Sequence, residues 1–126
     1  MLGNGPVLVA FFKISCPTCQ FTFPYLDRLS RGGVRFLGVS QDDAAATGAF
    51  AKRFGVTFPV VRDDGGYPAS NAFGITHVPA MYLVETDRSI SHAWTGFSKR
   101  DMERLAERVA IPAFHPMEKV PDWKAG

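Results

Sequence analysis

The sequence VLVAFFKISCPTC, residues 7–19, places both cysteines of the chain directly after a run of apolar residues. The run at residues 7–13 is nearly continuous in Val, Leu, Ala and Phe, which predicts a strand covered on both faces. Residues 16–30 follow with the apolar spacing of a helix. Cys16 would therefore stand at the start of that helix, with Pro17 in the first turn, where proline is favoured.

This junction between strand and helix favours redox chemistry. Unpaired N–H groups and the helix dipole stabilise a thiolate at Cys16, and Cys19 follows one turn later, at a separation that suits a disulfide. A purely structural disulfide is the weaker interpretation, because so short a loop joins no two elements. A zinc site would need further ligands, and His77, His92 and His115 are scattered without ligand spacing.

Length and composition describe an ordinary globular chain. Of 126 residues, 46% are hydrophobic and 21% charged, which excludes a disordered chain and a membrane bundle. The net charge of +2 is too small to indicate nucleic acid binding, and no apolar run approaches the roughly 20 residues that span a bilayer. We expect one domain over residues 1–111 and a proline-containing C-terminal tail, residues 112–126, packed on it through Phe114 and Trp123.

The apolar run near the N-terminus lacks the marks of a signal peptide. Its first basic residue, Lys13, follows the run instead of preceding it, and no small-residue cleavage site comes after it. On this ground we expect a cytoplasmic location. The alternative is an extracytoplasmic location, if the sequence is a truncated form of a longer protein.

Strands and helices alternate along the rest of the chain. Further strands are predicted at residues 34–40, 58–61, 80–85 and 90–95, and further helices after Asp42 or Asp43, at 68–73, and after Ser98. Pro59 places the third strand at a sheet edge. The order β-α-β-α-β-α-β-β-α predicts an α/β fold with a mainly parallel central sheet, helices on both faces and a C-terminal antiparallel hairpin.

Four short segments form a pattern that is known from other proteins. CPTC stands at residues 16–19, Pro24 follows it inside the predicted helix, GITHVP stands at residues 74–79, and GFSK at residues 96–99. With these segments in this order, most of the chain resembles the thioredoxin superfamily. The resemblance implies a thioredoxin-like fold, in which Pro24 kinks the helix that carries the cysteines.

The same resemblance implies the roles of individual residues. It assigns catalysis to the redox pair Cys16 and Cys19. The substrate-binding residues that it implies are Pro17, Thr18, Val78 and Pro79, with a cis bond between the last two. It implies no metal and no organic cofactor.

An extra helix and strand at about residues 42–65 are similar to those of the TlpA-like and AhpC/TSA (redoxin) branch. The implied function is that of a thiol–disulfide oxidoreductase, which exchanges disulfides with protein substrates and depends on a redox partner as electron donor or acceptor. The branch also implies an antioxidant role. We expect a monomer with no nucleic acid partner and no membrane segment.

Three positions depart from the family pattern. Ser15 stands where a Trp usually precedes the first cysteine, Ala10 where thioredoxin has a buried Asp, and Thr22 where some TlpA-like reductases have Glu. The carboxylate that would deprotonate Cys19 is therefore missing, and without a substitute the exchange would be slow. The candidates to replace it are Lys13, Glu85 and a water molecule.

The sequence leaves two other functions open. A peroxiredoxin-like thiol peroxidase shares the frame, but Lys13 and Val9 stand where the peroxide-binding motif has Thr or Ser and Pro. A non-catalytic binding module would use the groove around Pro79 without turnover. The missing carboxylate favours this module, and the intact cysteine pair argues against it. Near the site, we expect His77 on the surface and Phe21 beside a hydrophobic substrate groove.

Overall fold

Strands and helices alternate over residues 5–126, the part of the chain that the computed structural model describes. Residues 1–4 of the predicted domain lie outside this range. The strands are β1 (Val7–Phe12), β2 (Arg35–Ser40), β3 (Val60–Arg62), β4 (Ala80–Val84), β5 (Ile90–Thr95), β6 (Phe97–Ser98) and β7 (Trp123–Lys124). The helices are α1 (Pro17–Leu29), α2 (Ala44–Phe54), α3 (Pro68–Phe73) and α4 (Lys99–Val109).

Five strands form one mixed sheet in the order β3-β2-β1-β4-β5. β1 pairs in parallel with β2, and β2 with β3, whereas β4 is antiparallel to both β1 and β5. Four of the five strands therefore run in the same direction, and only β4 is reversed. The predicted α/β class and the C-terminal hairpin, β4–β5, are confirmed.

The third strand begins later than predicted, at Val60 instead of residue 58. Phe58 is buried, at 7% exposure, in the core against α1, and the Pro59 carbonyl accepts a hydrogen bond from the Gly38 amide at 2.9 Å. Phe58 and Pro59, which the sequence predicts as the start of the strand, therefore lie directly before β3. β3 lies at the edge of the sheet, as Pro59 predicts.

Alternate residues of the central strand β1 face two separate packed layers. Leu8, Ala10 and Phe12 belong to a core shared with α1, α2 and α4. Val7, Val9 and Phe11 belong to a smaller hydrophobic core on the opposite face of the sheet, against which α3 packs. Complete burial of β1 is what its nearly continuous apolar sequence predicts.

The ends of the helices are fixed by side chains that the sequence marks. Asp43, and not Asp42, caps α2 by accepting the Ala46 amide, and Ser98 caps α4 by accepting the Asp101 amide. The Asp101 carboxylate accepts from His92 on β5 at 2.7 Å. This histidine, which sequence reasoning left without a partner, thus ties β5 to α4.

The C-terminal tail lies against α1 and β6. Phe114 packs on Tyr25 of α1, with ring centroids 5.1 Å apart, and β7 pairs with β6 in a small second sheet. Trp123, which was expected to anchor the tail, is 60% exposed. No helix within residues 5–126 is both long and apolar enough to cross a membrane.

Candidate active site

Cys16 lies in the turn between β1 and α1, with its sulfur facing backbone groups from two directions. Its Sγ accepts the Cys19 amide at 3.2 Å, so that the side chain itself caps α1. The same sulfur lies 3.6 Å from the Val78 carbonyl oxygen, to which the thiol can donate. The sulfur that would carry out nucleophilic attack thus lies at the N-terminus of α1, within reach of a substrate and of an N–H group of the first turn.

Cys19 lies one turn further along α1 and is completely buried. Burial raises the pKa of the Cys19 thiol well above its ordinary value, and the hydrogen bond with Cys16 raises it further. Both cysteines are free thiols, and only Cys16 is partly exposed. The two sulfurs are thus unequal: an external disulfide can reach Cys16, while Cys19 stays a protonated thiol behind it.

The loop before Cys16 is fixed at both backbone groups of Ile14. The Asp42 carboxylate accepts the Ile14 amide at 2.8 Å, and the Gln20 side chain donates to the Ile14 carbonyl at 2.9 Å. Sequence reasoning missed both residues. The available signal was the pair Asp42-Asp43, since one acid suffices to cap α2; nothing in the sequence marks Gln20.

The segment Val78–Pro79 faces the cysteines from the start of β4. The peptide bond between these residues is cis, and the Val78 carbonyl is the group that contacts Cys16. Pro79 is buried, and its carbonyl accepts the Gly96 amide at 2.8 Å. Since β4 is antiparallel to β1, with Ala80 paired to Phe11, the first residues of β4 come to the cysteine end of the sheet.

The other two predicted substrate residues lie in the first turn of α1. Pro17 is exposed, and Thr18 is buried, at 7% exposure. The Thr18 hydroxyl donates to the Ala125 carbonyl of the C-terminal tail at 2.6 Å. The structure therefore brings Cys16, Cys19 and Val78 together, while Thr18 is engaged with the tail.

A polar cleft of about 270 Å³ opens beside Val78, between the end of β1 and the segment that follows α3. Its charged or titratable lining residues are Lys13, Tyr67 and His77, which are all exposed. Asp63 fixes α3 below the cleft by accepting the amides of Ala69 and Ser70. Burial opposes the charge of the Asp63 carboxylate, but these hydrogen bonds outweigh it and lower the pKa below its ordinary value.

The expectation that Glu85 could deprotonate Cys19 is wrong. Val84 pairs with Val7, at the end of β1 opposite to the cysteines, and Glu85 lies beyond it in an ion pair with Arg108 at 2.7 Å. Thr22, which stands where related reductases have a carboxylate, is fully buried, and its hydroxyl has no hydrogen-bond partner in the described part of the chain.

Phe21 and the histidines are the remaining residues that the sequence singles out. Phe21 is partly buried against Tyr25 and Phe97, the latter with ring centroids 4.9 Å apart. Within residues 5–126, no group of three or more His, Cys, Asp and Glu side chains is arranged to hold a metal ion. The two free thiols, Cys16 at the start of α1 and Cys19 one turn later, can perform thiol–disulfide exchange.

The sequence is similar to a known family model and to proteins named as thiol–disulfide oxidoreductases. The Redoxin family model matches residues 2–109. Thiol-disulfide oxidoreductase ResA of Geobacillus kaustophilus is 30% identical over 113 residues, 85% of this chain and 64% of that protein. Thiol:disulfide interchange protein DsbE of Escherichia coli is 27% identical over 92 residues, 72% of this chain and 50% of that protein. The chain thus spans less than two-thirds of the length of either relative.

The fold is also found in solved structures of other proteins. The structure of MTB dsbF in mixed oxidized and reduced forms superposes with a TM-score of 0.75 at 26% sequence identity. The superposition covers 86% of this chain and 81% of the dsbF chain. The predicted thioredoxin-like arrangement of strands and helices is therefore confirmed.

Proposed function

This chain belongs to the Redoxin family, and on that premise we propose that it is a thiol–disulfide oxidoreductase that exchanges disulfides with protein substrates. The observation that carries the proposal is the inequality of the two thiols. Cys16 is partly exposed and caps α1 through its sulfur, while Cys19 is buried one turn behind it. The matching relatives bear names of the same activity.

The first step is attack by the Cys16 thiolate on a substrate disulfide. A bond forms between Cys16 Sγ and one substrate sulfur, the substrate S–S bond breaks, and the second substrate sulfur leaves as a thiolate. The Val78 carbonyl, 3.6 Å from Cys16 Sγ, supports an approach of the substrate backbone from this side. Pro17, Thr18, Val78 and Pro79 are the residues we propose to line its path.

The second step is attack by Cys19 on Cys16 Sγ. The Cys16–Cys19 disulfide forms, the mixed disulfide breaks, and the substrate sulfur that was bonded to Cys16 is released, so that two electrons have passed from the cysteine pair to the substrate. Cys19 must first lose its proton, and its raised pKa opposes that loss. Because no carboxylate stands at Thr22, we assign the proton to the substrate thiolate released in the first step.

A partner must restore the cysteine pair after each turnover. In the reductive direction a dithiol donor reduces the Cys16–Cys19 disulfide, and in the oxidative direction the pair receives electrons from a substrate dithiol and passes them on. Both directions pass through the same mixed disulfide at Cys16, and in the oxidative direction the steps run in reverse, so that Cys19 leaves first and Cys16 last.

Trapping of the mixed disulfide tests this proposal. In a Cys19→Ser variant, Cys16 should form a mixed disulfide with protein substrates that contain a disulfide, and this adduct should persist on a non-reducing gel, because nothing resolves it. The matched Cys16→Ser variant should trap nothing. Equal capture by the two variants would support the non-catalytic binding module instead, and consumption of hydrogen peroxide that depends on Cys16 would support the peroxidase.

A further inference from the structure

The C-terminal tail is anchored to the far end of α1 by contacts of three kinds. Arg28 donates to the Ala113 carbonyl at 2.8 Å and pairs with the Glu118 carboxylate at 3.0 Å. One turn closer to the cysteines, Tyr25 packs edge-on against Phe114. This part of the tail is partly buried and hydrogen-bonded, so that it holds the tail against one face of the helix.

The tail then follows the same face of α1 towards the cysteines. Thr18, Phe21, Tyr25 and Arg28 are spaced by three or four residues and therefore form one stripe on the helix surface. The ammonium group of Lys124 lies over the Phe21 ring, 5.6 Å from its centroid. Beside it, β7 pairs with β6 and the Lys99 amide donates to the Asp122 carbonyl at 2.9 Å.

The last residues of the tail reach the redox site itself. The Ala125 carbonyl accepts the Thr18 hydroxyl at 2.6 Å. Gly126 lies so close to Val78 that a Cβ on this glycine would come within 2.1 Å of the Val78 carbonyl oxygen. That oxygen is the group that contacts Cys16 Sγ, so the terminal segment, residues 122–126, lies where a polypeptide substrate would have to lie.

We propose that the terminal segment occupies the peptide site of this enzyme and that a protein substrate docks as an extended strand in its place. The inference rests on the proposed function, because it concerns access to the same two cysteines. The docking surface consists of the edge of β6 that β7 occupies, the Thr18 hydroxyl and the Val78 carbonyl. A substrate strand would pair with β6 as β7 does, at Phe97 and Ser98.

The tail is held more firmly at its anchor near Arg28 than at the terminal segment, and this difference permits the exchange. Residues 121–126 are all exposed, and Trp123 is 60% exposed, so that little apolar surface holds the terminal segment down. The anchor at Arg28 and Tyr25 is independent of the cysteine site. The terminal segment can therefore detach while the rest of the tail stays bound, which keeps it available to compete with the substrate.

The position of Gly126 also defines the kind of partner that fits. Because a Cβ at this position meets the Val78 carbonyl, the site accepts a residue without a side chain, or one that approaches from further away. Ala125 precedes it with a single methyl group. The preferred substrate is thus an extended segment with small residues next to its reactive cysteine.

Two variants that remove or displace the terminal segment test the proposal. One is deletion of residues 123–126, and the other is Gly126→Val in the full chain, where the added carbons collide with the Val78 carbonyl. Met117→Ala is the matched control in the same tail, because Met117 is 92% exposed. The substrates are insulin, whose disulfides lie in a polypeptide, and hydroxyethyl disulfide, which needs no peptide site, each with glutathione as reductant.

We expect kcat/KM for insulin to rise at least about threefold in both variants, since the binding-competent fraction increases. For hydroxyethyl disulfide, kcat/KM should change by less than about twofold, and Met117→Ala should match the parent with both substrates. The proposal is overturned if insulin is reduced equally well with and without residues 123–126. If the deletion does not fold, Gly126→Val decides in the same way.

Binding of a synthetic peptide separates this proposal from the proposed function. The peptide DWKAG, residues 122–126, should shift the NMR signals of Thr18 and Val78 in the deletion variant and leave the full chain nearly unchanged. Equal shifts in both proteins, or none in either, overturn the proposal. If hydroxyethyl disulfide shows no turnover that depends on Cys16, the proposed function fails, while the peptide experiment still decides whether the terminal segment occupies this site.

Discussion

At the scale of single residues, a difference in burial gives the thiols of Cys16 and Cys19 different roles in the proposed reaction. Cys16 is partly exposed and receives an N–H group from α1, whereas Cys19 is fully enclosed. A thiol in apolar surroundings loses its thiolate form, and the thiolate is the reactive species. The order of attack in the proposed mechanism follows from this difference.

Alkylation measures the difference directly. With iodoacetamide at about pH 7, the reduced protein should gain its first adduct at Cys16. In a Cys16→Ser variant, Cys19 should react more than about tenfold more slowly than Cys16 does in the matched Cys19→Ser variant, since each pKa unit changes the thiolate fraction tenfold. Mass spectrometry of the adducts gives both rates. Similar rates would contradict the assignment of Cys16 as the attacking sulfur.

Two neighbouring acids provide a second test at the residue scale. Asp42 holds the Ile14 amide in front of Cys16, and Asp43 caps α2. Asp42→Ala should lower kcat/KM for a small disulfide by about tenfold, because the loop that positions the sulfur is released. Asp43→Ala should cost about 1 kcal/mol of folding stability and leave the rate unchanged. Identical kinetic effects would show that Asp42 does not position Cys16.

Residues whose role is local could be predicted from the sequence, and residues that act across the fold could not. The position of Cys16 before Pro17 predicts a helix cap, and the structure has one. Asp42 acts on Ile14, 28 positions earlier in the sequence, and the second acid beside Asp43 is a signal that it is spare but not of what it binds. Glu85 was wrongly considered because the direction of β4, which carries it away from Cys19, depends on strand pairing.

At the scale of elements, a buried carboxylate joins α1 to the segment that distinguishes this branch of the superfamily. Asp27 is 4% exposed and accepts both the amide and the hydroxyl of Thr57, at 2.6 and 2.8 Å. Thr57 lies between α2 and β3. The added helix and strand are therefore fixed to the helix that carries the cysteines.

Removal of this carboxylate should weaken the fold. Asp27→Ala leaves the Thr57 donors without their acceptor and should cost about 3 kcal/mol of unfolding free energy, measured by urea denaturation. Arg31→Ala is the matched control, because it removes only an exposed partner of Asp27 and should cost less than about 1 kcal/mol. Equal losses would mean that the ion pair, and not the bonds to Thr57, carries the stabilisation.

The elements with periodic, apolar or capping signals were predictable, including the six-residue helix α3, and the two shortest strands, β6 and β7, were not. β1, α1, β4 and β5 were predicted within about two residues of their observed ends. β6 and β7 have two residues each, and α4 and most of the tail separate them in the sequence. So short a strand has no periodicity, and its existence depends entirely on the path of the tail.

At the scale of the whole molecule, ion pairs that join distant segments link stability to pH. Hydrogen bonds from Arg108 and Ser91 lower the pKa of Glu85 from 4.5 to about 2. Hydrogen bonds from Arg28 and the His115 amide lower the pKa of Glu118 from 4.5 to about 2. Both carboxylates bind a proton more readily in the unfolded chain, so their contribution is complete above pH 4.5 and is lost as the pH falls towards 2.

Thermal unfolding across this range should show the linkage. Tm should stay nearly constant above about pH 5 and fall steadily between about pH 4.5 and pH 2. The double variant Glu85→Gln and Glu118→Gln should have a lower Tm at neutral pH and a flatter decline in acid. A decline of the same steepness in parent and variant would assign the acid sensitivity to other groups.

Equilibration of the Cys16–Cys19 pair with glutathione tests the proposed function most directly. The fraction of oxidised protein, counted as alkylated thiols by mass, is followed against the ratio of reduced to oxidised glutathione. We predict one reversible two-electron transition in which both thiols disappear together, with a potential between roughly −270 and −120 mV. A lasting glutathione adduct on Cys16 with Cys19 still free, or no reversible transition, would contradict a redox pair.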